Sequence, residues 1–276
     1  MELLDKEHFS KLADRVNQIP FNNLFARAVI EHMVSGKVYV DNVRDIKTAY
    51  IVHPYGMTLL LGDSDNGDFN QQFRKYALNI DSKRNSFEWM QIYPKSWDNK
   101  LKNLFGEQLI PSDKNISKIE NGIIELNTRV NFQFDKTTYL TRKVSNYEQS
   151  IEITRTDRQM FRQMKGTVIP KYFWDSEEDF FNNGMAYSLL YKGELASMSF
   201  SSYKFGDQFE LGIETIPEFR GKGLAEIVCC ALIDYCIEKQ YEPIWACRKE
   251  NMGSYKLALK LGFKPTQELP YYRLSK

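Results

Sequence analysis

Residues 217–228, PEFRGKGLAEIV, place two glycines and two basic side chains between a strand-like run and a helix-like run. The apolar stripe that follows predicts a helix beginning at or just after Gly223. A helix start exposes backbone N–H groups and the positive end of the helix dipole. Gly221 and Gly223 leave this backbone bare. Arg220 and Lys222 add positive charge, so the segment predicts a site for pyrophosphate or a similar anion.

Three phosphate-binding patterns compete for this segment. A Walker A loop needs G-x-x-x-x-G-K-[ST], which the chain lacks. A dinucleotide fingerprint needs a third glycine where Glu226 stands. The pattern [QR]-x-x-G-x-[GA] is met in full, although such a short pattern also fits a plain helix start after a flexible turn. Its residues are Arg220, Gly221, Lys222, Gly223, Leu224 and Ala225.

The bulk properties exclude several classes of protein. Of the 276 residues, 42% are hydrophobic, enough for a folded core, and the net charge of +1 provides no field for nucleic acid. We find neither a secretory signal nor an apolar run long enough to cross a membrane. The four cysteines lie in the last fifth of the chain and fit buried thiols better than a disulfide framework. These features predict a soluble cytoplasmic protein.

We predict no metal site. Asp63, Asp65 and Asp68 lie close together, but glycine and glutamate are missing from the positions that a calcium loop requires. The three histidines lack metal-ligand spacing. The acidic tract therefore reads as a solvated turn.

The apolar patterns predict an α/β protein of two domains, 1–140 and 141–276, separated by a polar, unpatterned segment at 135–150. The first domain opens with helices and continues with strands at 37–40, 48–53, 57–61 and 87–93 and helices at 69–78 and 95–105. A polar region at 111–122 follows. The second domain contains three strands, a helix, a strand, a helix and a last strand near 271–274. This order predicts a mixed central sheet with flanking helices.

Two blocks of the second domain carry a family resemblance. LGIETIPEFRGKGLA at 211–225 and Asn-Met-Gly-Ser at 251–254, followed by Leu-Gly-Phe at 261–263, are separated by one helix and one strand. Together they resemble the two signatures of the GNAT superfamily of acetyl-CoA-dependent N-acetyltransferases. The resemblance is good over 187–273 and faint over 156–186. EPIWACRKENMGSYKLALKLGF at 242–263 is similar to the branch that includes the zwittermicin-resistance acetyltransferases.

This resemblance implies that acetyl-CoA binds as cosubstrate. It places the pyrophosphate on the backbone of residues 220–225 and the pantetheine arm in a V between the strands ending near Ile216 and Cys247. A splayed pair of parallel strands has unpaired N–H and C=O groups that an amide-bearing arm satisfies. Asn251 and Ser254 would line the pantetheine side. A backbone N–H near the strand end, around Thr215–Pro217, would stabilise the developing oxyanion.

Acetyl transfer also needs a base for the amine and an acid for the departing thiolate. Glu210 and Glu214 are four residues apart on one strand, so they share a face and are the candidate bases. The alternative for each is a solvated strand carboxylate. Where many family members carry a tyrosine acid, this chain has Ala258. Tyr255, and Tyr271 or Tyr272 on the last strand, are weaker candidates.

The sequence thus predicts an N-acetyltransferase that moves an acetyl group from acetyl-CoA to a primary amine of a small molecule in a ternary complex, with antibiotics among the candidate acceptors. The missing tyrosine keeps open a non-catalytic acyl-CoA-binding or regulatory protein. Acetylation of a protein amine is a further alternative. The element order over residues 48–105 also resembles that of the second domain, so the first domain could be a degenerate sister without the anion loop.

Overall fold

The structure is a computed structural model that describes residues 1–112 and 122–276, and its contacts divide the chain into two compact units. Unit 1 consists of Met1–Val130, Arg248–Glu250 and Glu268–Lys276, and unit 2 of Asn131–Cys247 and Asn251–Gln267. The polar region predicted at 111–122 lies almost wholly outside the described residues. The domains 1–140 and 141–276 stay a prediction, because a division by contacts does not test independent folding.

Unit 1 is built from short helices around a sheet. A 3₁₀ helix spans Lys6–Leu12 and a 3₁₀ turn spans Gly106–Gln108. The remaining elements are β1 (Glu2–Leu3), α1 (Ala13–Asn17), α2 (Leu24–Ile30), β2 (Lys37–Val40), β3 (Thr48–Val52), β4 (Met57–Gly62), α3 (Gly67–Ala77), β5 (Glu88–Tyr93), α4 (Trp97–Phe105), β6 (Leu109–Pro111) and β7 (Ile124–Phe134), whose residues from Asn131 onward belong to unit 2.

The sheet of unit 1 follows from its apolar runs. β1 to β4 pair in order as antiparallel neighbours, and β5 lies parallel to β4 after the α3 crossover. β3 and β4 are buried along almost their whole length, as continuous apolar strands covered on both faces are. α3 begins where Asn66 accepts a hydrogen bond from the N–H of Phe69, and it buries the stripe Phe69, Phe73 and Ala77.

Unit 2 has a sheet with one long helix packed on it. Its 3₁₀ turns span Pro170–Tyr172 and Pro217–Phe219. Its other elements are α5 (Lys136–Arg142), β8 (Ile151–Arg155), α6 (Arg158–Gln163), α7 (Glu177–Asn183), β9 (Ala186–Tyr191), β10 (Glu194–Phe205), β11 (Gln208–Thr215), α8 (Leu224–Glu238), β12 (Glu242–Arg248), α9 (Met252–Lys260) and β13 (Phe263–Leu274). The last residue of β12, Arg248, and the residues of β13 from Glu268 onward belong to unit 1.

β8 to β11 of unit 2 pair in order as antiparallel neighbours. A tight hairpin turn joins β9 to β10, with Lys192 and Gly193 both at positive φ. The α8 crossover then brings β12 parallel to β11. Much of α8 is buried, and its buried residues are apolar side chains and cysteines. The helix packs on β9, β10 and β11.

The two units share one order of elements. In unit 1, antiparallel β2, β3 and β4 precede α3, the parallel strand β5 and the short helix α4. In unit 2, antiparallel β9, β10 and β11 precede α8, the parallel strand β12 and the short helix α9. This topology agrees with the element order that suggested a sister domain, and the sister relationship stays a prediction.

The predicted α/β class, with mixed sheets and flanking helices, is confirmed, and two details of the sequence reading were wrong. The segment taken as unpatterned contains α5. There Tyr139 is fully buried, its hydroxyl 3.0 Å from the Cys230 carbonyl and 2.9 Å from the Asp234 carboxylate. The last strand begins at Phe263 rather than near residue 271, because polar residues at 264–268 conceal it in the sequence.

Candidate functional site

The predicted anion loop lies between β11 and α8. After the 3₁₀ turn Pro217–Phe219, Gly221 and Gly223 adopt φ values of 80° and 78°, and α8 begins at Leu224. Residues with a Cβ rarely adopt this conformation. A Cβ built at either glycine meets no heavy atom within 4 Å, so the space in front of the loop is open. The glycines thus shape the turn and leave room for a ligand.

The loop also provides unused donors. Glu226 and Ile227 donate their N–H groups to the Gly223 carbonyl. In the described part of the chain, no acceptor is seen for five consecutive backbone N–H groups, those of Gly221, Lys222, Gly223, Leu224 and Ala225. They stand at the positive end of a helix of 15 residues. The residues present therefore fit the pyrophosphate of coenzyme A.

β11 and β12 form the predicted V. Their ladder pairs Gln208–Glu210 with Glu242–Ile244 and, within these two fully described strands, goes no further. The N–H of Ile216 donates to the Ala196 carbonyl on the β10 side. Because successive N–H groups of a strand point to opposite edges, that of Thr215 points to the β12 side, where the V opens. Pro217 has no N–H, so Thr215 is the remaining donor among 215–217.

The predicted pantetheine residues form the start of α9. Asn251 caps this helix, its Oδ1 accepting from the N–H of Ser254 at 3.2 Å. The Ser254 hydroxyl accepts from Nε1 of Trp245, a buried residue of β12, at 3.2 Å. The two residues are thus held to each other and to β12. Their contact with a bound pantetheine stays a prediction.

The two candidate bases share a face of β11. Phe209 packs on Tyr235 of α8 with ring centroids 6.2 Å apart, and Ile213 packs on apolar residues of α8. Since side chains alternate along a strand, Glu210 and Glu214 point to the face away from α8. Both are buried, at 5% and 7% exposure. The sequence expectation of a common face holds, whereas neither is the solvated carboxylate of the alternative.

Glu214 is surrounded by donors. Its Oε1 accepts from Nη2 of Arg220 at 3.0 Å, and its Oε2 accepts from the backbone N–H groups of Thr167 and Val168 at 2.9 and 3.1 Å. Gly166 lies so close that a Cβ there would stand 2.4 Å from the Glu214 side chain. This carboxylate therefore fixes the segment 166–168 to β11. Its predicted catalytic role remains untested.

Sequence reasoning missed this contact. Only the glycine of Lys-Gly-Thr at 165–167 hints at a close approach of backbone, and its partner is 48 residues away along the chain. Further along the chain, Phe173 packs on Phe200 of β10 with tilted rings whose centroids are 5.4 Å apart, and Trp174 donates from Nε1 to the Ser201 carbonyl at 2.9 Å. The aromatic segment 171–181 therefore belongs in part to the core.

The acid is not found where many family members carry it. Ala258 is fully buried on α9. Tyr255 is half-buried, with its ring 5.4 Å from that of Phe132. Tyr271 and Tyr272 belong to unit 1, where the first stacks on Trp89 and the second donates to Asp98. We assign none of these three tyrosines as the acid.

The described residues contain no group of three or more His, Cys, Asp or Glu side chains that could hold a metal ion. Within the same ranges, no helix is long and apolar enough to cross a membrane. The four cysteines are buried and form no disulfide bond with one another. Burial raises the pKa of the Cys229 and Cys236 thiols to about 12, so these two thiols stay protonated and inert at neutral pH.

A mixed sheet, a splayed strand pair and an open glycine turn at a helix start are the arrangement that the resemblance to N-acetyltransferases predicts. The model of the family described as GNAT acetyltransferase matches residues 15–272, and the chain belongs to that family. It is therefore an enzyme of the GNAT N-acetyltransferase type. A relative from Bacillus subtilis (strain 168), called uncharacterized N-acetyltransferase YdfB, is 24% identical over 99% of this chain and 98% of its own.

Solved structures show the same fold at low identity. A GCN5-related N-acetyltransferase-like protein from Streptococcus suis superposes with a TM-score of 0.70 at 18% identity, covering 98% of this chain and 99% of its own. A tandem GNAT protein from the clavulanic acid biosynthesis pathway superposes with a TM-score of 0.63 at 11% identity, covering 99% and 97%.

Proposed function

We propose that the protein transfers the acetyl group of acetyl-CoA to a primary amine of a small molecule by direct attack in a ternary complex. The observation that carries this proposal is the row of five unused N–H groups at residues 221–225, which begins α8 beside the splayed strands β11 and β12. Backbone donors at a helix start favour a pyrophosphate, and the open strand edges favour the amides of pantetheine. When bound, acetyl-CoA supplies a thioester activated toward amines.

In this proposal Glu210 accepts the proton of the incoming ammonium, directly or through a water molecule. We prefer Glu210 of the two carboxylates because its position on the strand is closer to where family members often carry their base. Glu214 accepts hydrogen bonds from Arg220 and from the backbone at 167–168, which fits a positioning role. Attack requires a neutral amine, so a base on this face of β11 raises the reactive fraction. Glu214 then serves to position the segment 166–168.

The N–H of Thr215 is our proposed donor to the oxyanion, because it points into the V and its neighbours at 216 and 217 are excluded. No residue of the chain is assigned as the acid. A thiol has a pKa near 8.5, so its thiolate leaves far more readily than an alkoxide. Alanine instead of tyrosine at position 258 therefore makes protonation of the departing thiolate less efficient without preventing acetyl transfer.

Amine-bearing antibiotics are the acceptor class that we propose first, on the resemblance of residues 242–263 to zwittermicin-resistance acetyltransferases. The cytoplasmic location stays a prediction from the sequence.

Two measurements test the proposal in sequence. Calorimetric titration with acetyl-CoA should show binding, and its absence at near-millimolar ligand would refute the cosubstrate site. Thiol release is then followed with amino sugars, polyamines, amino-polyol antibiotics and peptides with a free N-terminus. Release with a small amine supports the proposal. Release with peptides alone would assign the acceptor to proteins instead.

A further inference from the structure

Unit 1 contains a cavity of about 630 Å³ that the acetyl-transfer chemistry does not use. It lies where β4 and β5 begin and α3 ends, and all of its lining residues belong to unit 1. The cradle at residues 220–225 belongs to unit 2. A volume of this size is typical of sites for small molecules.

A buried carboxylate lines this cavity. Glu88 is 5% exposed, and it accepts hydrogen bonds from the hydroxyls of Tyr50 at 2.5 Å and Tyr76 at 2.6 Å, one on each oxygen. Burial raises the pKa of Glu88, while the two hydroxyls and the charges of Arg84 and Lys37 oppose that rise. An ionised carboxylate has about four acceptor positions, so Glu88 keeps capacity for another donor.

Cations also line the cavity, and two of them are uncommitted. Arg84 donates to the carbonyls of Tyr76 and Ala77 at the end of α3, and Lys83 pairs with Asp81 at 3.3 Å. Across the described residues, neither Lys37 nor Lys75 forms an ion pair, and both are exposed. The cavity therefore presents a buried negative group and two free positive groups nearer to solvent.

This arrangement selects by charge. An anionic group placed against Glu88 would be repelled, and so would a cationic group placed against Lys37 and Lys75. A zwitterion satisfies both, and the rings of Tyr39 and Tyr76, 5.5 Å apart, with Val52 and Pro54 offer apolar wall to a side chain.

We propose that this cavity binds a free α-amino acid, with its ammonium group on Glu88 and its carboxylate on Lys37 and Lys75. The inference goes beyond the proposed acetyl transfer, because it gives unit 1 a ligand of its own. Because an amino acid carries no phosphate, this cavity needs no glycine turn like that at residues 220–225.

The test starts from the intact protein. The common L-α-amino acids are added one at a time at millimolar concentration, and the melting temperature is measured. At least one of them should raise it, because a ligand that binds only the folded state stabilises that state by mass action. Absence of any shift with all of them would overturn the proposal.

The amino acid with the largest shift is then compared by calorimetry with its decarboxylated amine and its deaminated acid. We expect both to bind at least tenfold more weakly than the amino acid. Equal affinity of either half would overturn the zwitterion assignment.

Variants locate the site. Glu88→Gln should lower the affinity for the amino acid at least tenfold. Lys37→Met, an exposed change that does not threaten folding, should lower the affinity for the amino acid but not the affinity for the decarboxylated amine. Gly223→Val in unit 2 should leave the affinity unchanged. Unchanged binding by both Lys37→Met and a folded Glu88→Gln protein, or lost binding by Gly223→Val, would place the amino acid elsewhere.

Discussion

The guanidinium of Arg220 donates from Nη2 to Oε1 of Glu214 over 3.0 Å and from Nε to the carbonyl of Thr215 over 2.9 Å. One cation of the predicted cradle is therefore tied to the end of β11. Through the other oxygen of Glu214, the same link reaches the backbone of Thr167 and Val168. Arg220, a residue of the cosubstrate motif, and the backbone of the segment 166–168 thus donate to the same carboxylate, that of Glu214.

Glu214→Gln should loosen the segment 166–168 and destabilise the protein by about 1–3 kcal/mol, because the N–H groups of Thr167 and Val168 and the Arg220 guanidinium lose a charged acceptor. Hydrogen exchange of the amides at 166–168 and urea unfolding measure both effects. Glu177→Gln is the matched control, since Glu177 also accepts from an arginine, Arg162, on the surface. Faster exchange in the control to the same extent would contradict the link.

Gly223→Val should weaken the binding of acetyl-CoA by about 2–4 kcal/mol, or roughly 30- to 1000-fold in affinity, because a side chain at this turn obstructs two or more backbone donors. Calorimetry measures the loss. Gly193→Val is the control, since Gly193 has φ 82° and an equally open surround in the β9–β10 turn. Both variants carry a backbone strain of about 1–2 kcal/mol. Equal affinity in the two would refute the cradle.

Asn251→Ala should cost about 1 kcal/mol of stability, because it removes the cap of α9. Asn251→Asp keeps the cap and should keep the stability. If the Asn251 amide contacts pantetheine, both variants weaken acetyl-CoA. Thermal unfolding and calorimetry on the pair separate the roles, and full affinity in the stable aspartate variant would remove Asn251 from the site.

Glu210→Gln should lower turnover by about 10²–10⁴-fold, the usual contribution of a general base, while acetyl-CoA affinity persists. Steady-state thiol release across a pH series measures the turnover. The part of the rise in rate with pH that comes from deprotonation of Glu210 should be lost in the variant. Glu238→Gln, at the surface end of α8, is the control. Wild-type turnover in the Glu210 variant would exclude this residue as the base.

The stability of unit 1 should depend on pH through Glu88. Its pKa is raised in the folded protein, so the folded state holds the proton to higher pH than the unfolded state, whose glutamate titrates near 4.3. The free energy of unfolding therefore falls as pH rises from about 4 through the folded pKa. Urea unfolding should show this fall in the wild type and not in Glu88→Gln. A constant difference between the two proteins across this range would contradict it.

The cradle could be predicted from the sequence because its determinants are local. Gly221 and Gly223 fix the turn, and the apolar stripe after them fixes the start of α8, all within one stretch of chain. The shared face of Glu210 and Glu214 follows from strand alternation alone. The spacing of the second block likewise places Asn251 at a helix start, where it is found.

The partners of these residues were decided only by the tertiary structure. Glu214 meets residues 47 and 46 positions earlier, and Glu88 meets Tyr50 from 38 positions away, because side chains distant in sequence converge on one sheet face. α5 was missed because its single buried anchor, Tyr139, leaves no apolar period to detect. The spacing of apolar residues predicts which face of a helix or strand is buried. It does not predict which side chain of another segment packs against that face, because that depends on the tertiary structure. The sequence by itself therefore determined the anion loop and the fold class, and only the folded chain assigned Glu214 its hydrogen bonds and unit 1 its cavity.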